Sequence, residues 1–342
     1  MYWSCANGRS SVALLSATIC AVVCAVMASS ASADYSDHPK APQLIEQLVA
    51  EGVEREAVVV ALRKANSNPR ILASMAGAAE KTKTWTAYRA SFIKPLRVSQ
   101  GVDFLVRHQR IFDQVEQRYG VPREMITAIL GVETNYGGYT GRANVLDALA
   151  TLAFEHPRRS PFFMSELKEY ILLCREKGWP VDQQLGSYAG AMGMSQFMPS
   201  NYRRLAVDGS GDGVIDLFNV DDAIYSVANY FVEHGWVSGE PVASRASVSV
   251  DFDSALIGRR LRPNSTVAAL DSAGFHAQEK VSPAQSARVL RFNDADGDEF
   301  WLGYQNFYVI SRYNPRAKYA MAVYHLSEEI ARQASAASSR VQ

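Results

Sequence analysis

The chain has 342 residues, 48% of them hydrophobic and 20% charged, with 35 basic and 35 acidic side chains. That balance excludes a disordered protein and supports a sizeable core, in one large domain or two to three smaller ones. A formal net charge of zero excludes the electrostatic footprint expected of a nucleic-acid-binding protein.

The first 33 residues carry one charge, Arg9, then an apolar stretch from Val12 to Met27, then Ala31-Ser32-Ala33 before Asp34. This is the pattern of a secretory signal peptide cleaved after Ala33, and it implies export. An uncleaved anchor is the alternative, but the stretch is short for a span and contains Ser16 and Thr18. Lipoprotein anchoring is disfavoured. Cys20 and Cys24 follow Ile19 and Val23, whereas lipidated cysteines normally follow a small residue. Cleavage removes Cys5, Cys20 and Cys24 and leaves Cys174 alone, so the mature chain is held by its core without an internal disulfide.

Residues 34–42 read as a polar linker. Apolar positions over 43–65 predict a helical pair broken at Gly52 and ended by Asn68-Pro69. Trp85, Tyr88 and Phe92 form an aromatic stripe at helical spacing, and Trp85 and Phe92 read as core. Val102 to Tyr119 reads as one long amphipathic helix, stopped by Gly120-Val121-Pro122. The next helix is mostly apolar and carries Glu133 near its end. Further helices are predicted over Val145–Phe154, Phe162–Lys177 and Asp221–His234. Residues 239–300 change character. Alternating Val242, Val248, Val250 and Phe252, and the run Val289–Phe292, predict a small mixed or β-rich subdomain inserted in a helical protein. The chain then returns to helix over Tyr319–Leu326. Cys174, among Ile171, Leu172 and Leu173, reads as buried and inert.

Three stretches carry chemistry. In Gly131-Val132-Glu133-Thr134-Asn135-Tyr136-Gly137, a carboxyl group ends an apolar helix just before a Gly-rich turn. Alone, it could be a structural carboxylate. In a cleft it could be a general acid whose pKa is raised by desolvation, as cleavage of a glycosidic bond requires. The second stretch runs from Gly186 to Ser200. Its glycines at 186, 190 and 193 predict an exposed loop that a polymer can approach, with Ser187 and Gln196 offering hydrogen bonds. Neither Ser187 nor Ser195 completes a nucleophile elbow, since Phe197 replaces the closing glycine. The third stretch, Asp208 to Asp216, has the start of a calcium loop. Asp208, Ser210 and Asp212 fall at positions 1, 3 and 5, Gly213 at 6, and the Val214 carbonyl at 7. Asn219 replaces the usual glutamate at position 12. A metal-free Asp/Gly turn is the alternative. Asp294, Asp296 and Asp298 repeat the acidic spacing, but Glu299 stands where the turn needs glycine, so that segment reads as a solvated turn. Arg158-Arg159 reads equally well as a solvated pair or as a ligand for carboxylates.

In combination, Gly131–Gly137, Ala189–Gly193 with Gln196–Ser200, and Ser226–Phe231 resemble the lytic murein transglycosylase B family, from about Tyr88 to the last helix. The resemblance implies a mainly α (α+β) fold. A lysozyme-like helical catalytic domain would occupy 99–238 and be completed by 301–342. A small β-containing insertion would span 239–300, an N-terminal helical region 34–98, and the signal peptide 1–33. It implies a periplasmic enzyme that cleaves the bond between N-acetylmuramic acid and N-acetylglucosamine without water and leaves 1,6-anhydro ends. Glu133 matches the sole catalytic acid and base. Tyr88, Arg158, Arg159, Ser187, Gln196, Tyr230, Tyr313, Asn314 and Tyr319 match cleft residues. Asp222 would complete a structural calcium site with Asp208, Ser210, Asp212 and Val214. Partners would be peptidoglycan glycan strands and cell-wall synthesis or remodelling complexes, with the chain a monomer and no organic cofactor. A hydrolytic muramidase and a non-catalytic peptidoglycan-binding scaffold are the competing readings.

Overall fold

The computed structural model describes residues 34–76, 83–294 and 297–338. The expected signal peptide, residues 1–33, lies outside them. The expected polar linker is instead ordered. A 3-10 turn, Tyr35–Asp37, is capped by Asp34, whose carboxylate accepts from the Ser36 N–H at 2.9 Å. Tyr35 is buried and stacks on Phe154 at 4.7 Å between ring centroids. One aromatic side chain thereby pins a polar segment to the body, a long-range contact with no local signal. Helices α1 (Ala41–Ala50) and α2 (Arg55–Lys64) follow on either side of Gly52, which has φ +80°.

Pro69 does more than end this pair. It opens α3 (Pro69–Ala76), because proline's fixed φ and missing N–H suit a first turn. The aromatic stripe forms α4 (Trp85–Phe92), with Trp85 and Tyr88 buried. The long helix expected over Val102–Tyr119 is two helices, α5 (Pro95–Arg107) and α6 (Gln109–Tyr119). They meet at His108, whose φ of −111° leaves helical geometry, while each keeps its own apolar face. Gly120 then closes α6 in the left-handed conformation.

Helix α7 (Arg123–Thr134) is buried from Met125 to Gly131 and packs against α5. A two-stranded pair joins β1 (Ala143–Asn144) to β2 (Leu185–Gly186) across α8 (Val145–Glu155) and α9 (Ser160–Lys177). Helices α10 (Pro199–Leu205) and α11 (Val220–Glu233) come next, and α11 also packs on α7.

The β-rich region is an antiparallel five-stranded sheet. Its strands are β3 (Ala243–Val248), β4 (Ser265–Thr266), β5 (Phe275–Ala277), β6 (Ser286–Phe292) and β7 (Glu299–Gly303), in spatial order β4-β6-β7-β3-β5. A short helix, α12 (Val267–Ser272), follows β4. Residues on a strand alternate between faces. Val289 and Leu302, paired across β6 and β7, share a small core with Val267, Leu270 and Phe275. Leu290, Phe292 and Trp301 belong to the other face and join the main helical core. The sheet is therefore apolar on both sides and is docked on the helices. The last helices are α13 (Gln305–Ile310) and α14 (Ala317–Ser338), the latter against α7, α5 and α4.

Among the described residues no helix is long and apolar enough to cross a membrane. Cys174 is buried, and burial pushes its thiol up to about 11. Around the acidic segment, whose Ala295 and Asp296 lie outside the described residues, the Asp294 carboxylate accepts the Thr86 N–H at 2.8 Å, at the start of α4, and Asp298 pairs with Arg291 at 2.8 Å.

Candidate active site

Glu133 is the next-to-last residue of α7. Its helix is mostly apolar and buried, and among the described residues one side chain donates to the carboxyl group. The residue keeps some open surface, but its carboxyl is crowded by protein. The Tyr319 hydroxyl, from α14, donates to Oε1. Desolvation raises the Glu133 pKa to about 7, and the Tyr319 hydrogen bond pulls the other way. Removing water disfavours the charged form, while a donor to that form favours it.

The turn after Glu133 is held in a costly conformation. Asn135 and Tyr136 have φ of 52° and 60°. Asparagine tolerates the left-handed region, but a bulky side chain there is uncommon and must be compensated. The compensation is visible. Tyr136 N–H bonds back to Leu130 C=O at 3.0 Å, and its hydroxyl donates to the Arg97 carbonyl at 2.7 Å. Gly131 is required beneath it, because a Cβ there would lie 2.7 Å from the Tyr136 ring. Thr134 Oγ1 accepts from Gly137 N–H at 3.0 Å and donates to Met194 C=O at 2.9 Å, which ties the turn to the second Gly-rich stretch.

That second stretch differs from expectation. Ala191 to Ser195 are buried, not exposed. The segment folds back on itself, with Met192 and Phe197 exchanging backbone bonds of 2.9 and 3.1 Å. Gly190 and Gly193 face inward. A Cβ would meet Leu149 at 2.4 Å in one case and Leu217 at 2.4 Å in the other. These glycines serve close internal packing, not the approach of a polymer. Ser187 Oγ accepts from Ala191 N–H at 3.1 Å and keeps its own proton for another acceptor. Gln196, at φ 50°, donates through Nε2 to the carbonyls of Thr140 and Gly193, both at 3.0 Å.

Four tyrosines converge on Glu133 from three helices and a turn. Tyr88 comes from α4, Tyr230 from α11, Tyr313 from the turn before α14, and Tyr319 from α14. Burial pushes Tyr88 up to about 12, and the nearby Glu133 charge adds to the shift. Burial likewise raises Tyr230, Tyr313 and Tyr319, with Glu133 again contributing. Tyr230 and Tyr313 lie 4.3 Å apart between centroids, against Phe197. Among the described residues the Tyr313 hydroxyl is buried without a hydrogen-bond partner. Asn314 lies beside it and accepts Arg316 N–H through its carbonyl at 2.7 Å.

Arg158 and Arg159 do not join this group. Both are exposed in the loop before α9. Their N–H groups donate to His156 Nδ1, and the Arg159 guanidinium lies 4.6 Å from the Phe162 ring. Arg97 and Thr134 were not singled out by the sequence. Arg97 donates to the Phe92 carbonyl at 3.1 Å and to Asn135 Oδ1 at 3.4 Å. It thereby links the helix of Tyr88 to the turn after Glu133. An arginine and a threonine at these spacings carry no local signature.

The loop after α10 is organised by its acids. Asp208 accepts from Gly211 and Gly213 N–H at 2.6 and 2.8 Å. Asp222 is fully buried and accepts from Gly209, Ser210 and Asp216 N–H at 2.9, 2.9 and 2.7 Å. A carboxylate has about four acceptor positions, so Asp222 has roughly one left. Among the described residues no three His, Cys, Asp or Glu side chains converge as a metal-holding group. The donors are nonetheless hard oxygens, the kind calcium takes.

Residues 36–328 match the family described as the transglycosylase SLT domain. The membrane-bound lytic murein transglycosylase B of Escherichia coli (strain K12) is 38% identical over 308 residues, covering 87% of this chain and 84% of that protein. The soluble lytic transglycosylase SltB1 from Pseudomonas aeruginosa is 42% identical with a TM-score of 0.80, over 86% of this chain and 99% of that one. The Escherichia coli lytic transglycosylase Slt35, solved in complex with calcium, is 38% identical with a TM-score of 0.79, over 90% of this chain and 96% of that one.

Proposed function

The chain belongs to the transglycosylase SLT domain family and is a lytic murein transglycosylase, and we propose that Glu133 alone supplies both its acid and its base. The observation that carries this reading is the isolation of Glu133. Its pKa sits near 7 through burial, and among the described residues no second carboxylate contributes to the shift. An enzyme that activated water would profit from a separate base. Here one group can serve twice. Protonated Glu133 gives its proton to the glycosidic oxygen as the bond to muramoyl C1 breaks, and the N-acetylglucosamine end leaves as an alcohol. The cationic C1 is stabilised by the muramoyl 2-acetamido group. Glu133, now ionised, takes the proton from the muramoyl O6, and O6 bonds to C1. The 1,6-anhydro ring closes, and no water is consumed.

Tyr319 steadies the ionised intermediate form of Glu133 by donating to it. Tyr88, Tyr230, Tyr313 and Asn314 line the recess around it, and Ser187 and Gln196 extend the polar surface along the second Gly-rich stretch. Arg158 and Arg159 belong further out, where exposed guanidinium groups meet substrate carboxylates. The chain acts in the periplasm as a monomer after cleavage at Ala33. Mass spectrometry of digested murein tests the reaction. Anhydromuramoyl ends are the expected product, and reducing ends would establish hydrolysis instead.

Calcium fits the loop through Asp208, Ser210, Asp212 and the Val214 carbonyl, with the last acceptor position of Asp222 available to it. Its role is to brace the loop. Chelation should lower the melting temperature, and Asp208→Ala should abolish that response. An unchanged melting curve in the presence of chelator would remove the metal from this description.

A further inference from the structure

Strand β6 carries two arginines with different fates. Arg291 pairs with Asp298 at 2.8 Å. Arg288 has no ion pair or hydrogen bond among the described residues, and its Nε is buried without a partner. Exposed arginines without partners are ordinary; a buried guanidinium N–H without one is not, because water cannot replace the missing acceptor. Arg288 shares its strand face with Leu290 and Phe292, the face that docks on the helical core. It therefore lies at the seam between the sheet and the catalytic body.

The loop before β4 passes against Arg288 and carries more positive charge. Gly258 sits against the Arg288 guanidinium, and a Cβ there would lie 2.2 Å from Nη2. Arg259, Arg260 and Arg262 follow, all exposed and none paired with a carboxylate among the described residues. The loop is fixed at both ends. Leu256 and Ile257 pack on the small sheet core, Leu261 packs on the main core, and Asn264 N–H bonds to Ala287 C=O at 3.2 Å. Three exposed guanidinium groups on an anchored frame, beside the Arg288 guanidinium packed against Gly258, suit an oxyanion recognised through a planar fork.

We propose that Arg288, with Arg259, Arg260 and Arg262, is an anion-binding site for the carboxylates of peptides carried by the murein strand. This rests on murein being the substrate. The site selects strands that still bear peptides and holds them at the sheet while the glycan lies at Glu133.

Binding is measured in the Glu133→Gln background, so that strands survive. Peptide-bearing glycan strands and the same strands stripped of peptides by an amidase are the probes. The parent should bind peptide-bearing strands about tenfold more tightly. Arg288→Gln, and separately Arg259→Gln/Arg260→Gln/Arg262→Gln, should erase that preference and leave stripped strands unaffected. The triple variant alters only exposed side chains, so it remains informative if Arg288→Gln folds poorly. Equal affinity of the parent for the two strands overturns the site while leaving the proposed substrate intact. Loss of both strands by the parent overturns the substrate and the site together. Arginine-dependent binding to phosphatidylglycerol vesicles, with no effect of the peptides, would assign the arginines to a phosphate surface and overturn the proposal.

Discussion

Glu133, near the end of α7, and Glu166, in the middle of α9, are both helical glutamates withdrawn from water, yet their surroundings differ in kind. Glu166 is 5% exposed. Its two oxygens accept from Ser200 N–H at 3.0 Å and Ser200 Oγ–H at 2.7 Å, which caps the start of α10. Burial raises its pKa, and both Ser200 bonds pull it down. Among the described residues Glu133 has one donor, the hydroxyl of Tyr319, and it keeps some open surface. Burial by itself therefore does not mark a catalytic carboxyl. What separates the two is how many fixed donors hold the charge, and whether a substrate can reach it.

The largest test of this contrast is Glu133→Gln against Glu166→Gln. The first should lower kcat/KM on murein by about 10³–10⁴-fold, the scale of a lost general acid and base. The second should leave turnover close to the parent. Comparable losses in both would erase the distinction.

Stability should respond in the opposite sense. The Glu133 pKa lies near 4.5 in the unfolded chain and about 7 in the folded one. Below pH 4.5 the group is protonated in both states, and its favourable contribution is complete. That contribution is lost as pH rises through 7, where the folded state must hold an ionised carboxylate in its recess. Glu133→Gln does not titrate, so it should gain stability over the parent between pH 5 and 8, by at most about 3 kcal/mol. Denaturant melts at the two pH values measure this, and a gap that stays constant would contradict the burial of the carboxyl group.

Glu166→Ala should cost about 1–2 kcal/mol, the range of a lost helix cap, with little dependence on the substrate assay. Tyr319→Phe is the finest probe. It removes the one donor that lowers the Glu133 pKa, so the basic limb of the pH–rate profile should move upward. Turnover should fall by about tenfold, through loss of one charge-assisted hydrogen bond. A limb that stays in place would mean that Tyr319 does not act on Glu133.

The sequence made some of this plain and left the rest hidden for physical reasons. The helix of Glu133 was legible because its apolar run and its Gly-rich end are local. So were α11, the helix stop at Gly120, and the carboxylate spacing from Asp208 to Asp212. Gly190 and Gly193 were misread, because a glycine that frees a backbone for a ligand and one that makes room for Leu149 or Leu217 look identical in one dimension. His108 divides a continuous amphipathic pattern, and nothing in that pattern marks the break. Tyr35 closes a polar segment onto Phe154, more than a hundred residues away.

Sequence alone determined that this chain places a glutamate at the end of an apolar helix, with a glycine-rich turn after it. Tertiary structure decided what surrounds that glutamate. Tyr319 reaches it across 186 residues, and Tyr88, Tyr230 and Tyr313 arrive from other segments. A pKa near 7 is a property of that enclosure, since desolvation depends on which distant side chains exclude water and not on the residues beside it in the chain.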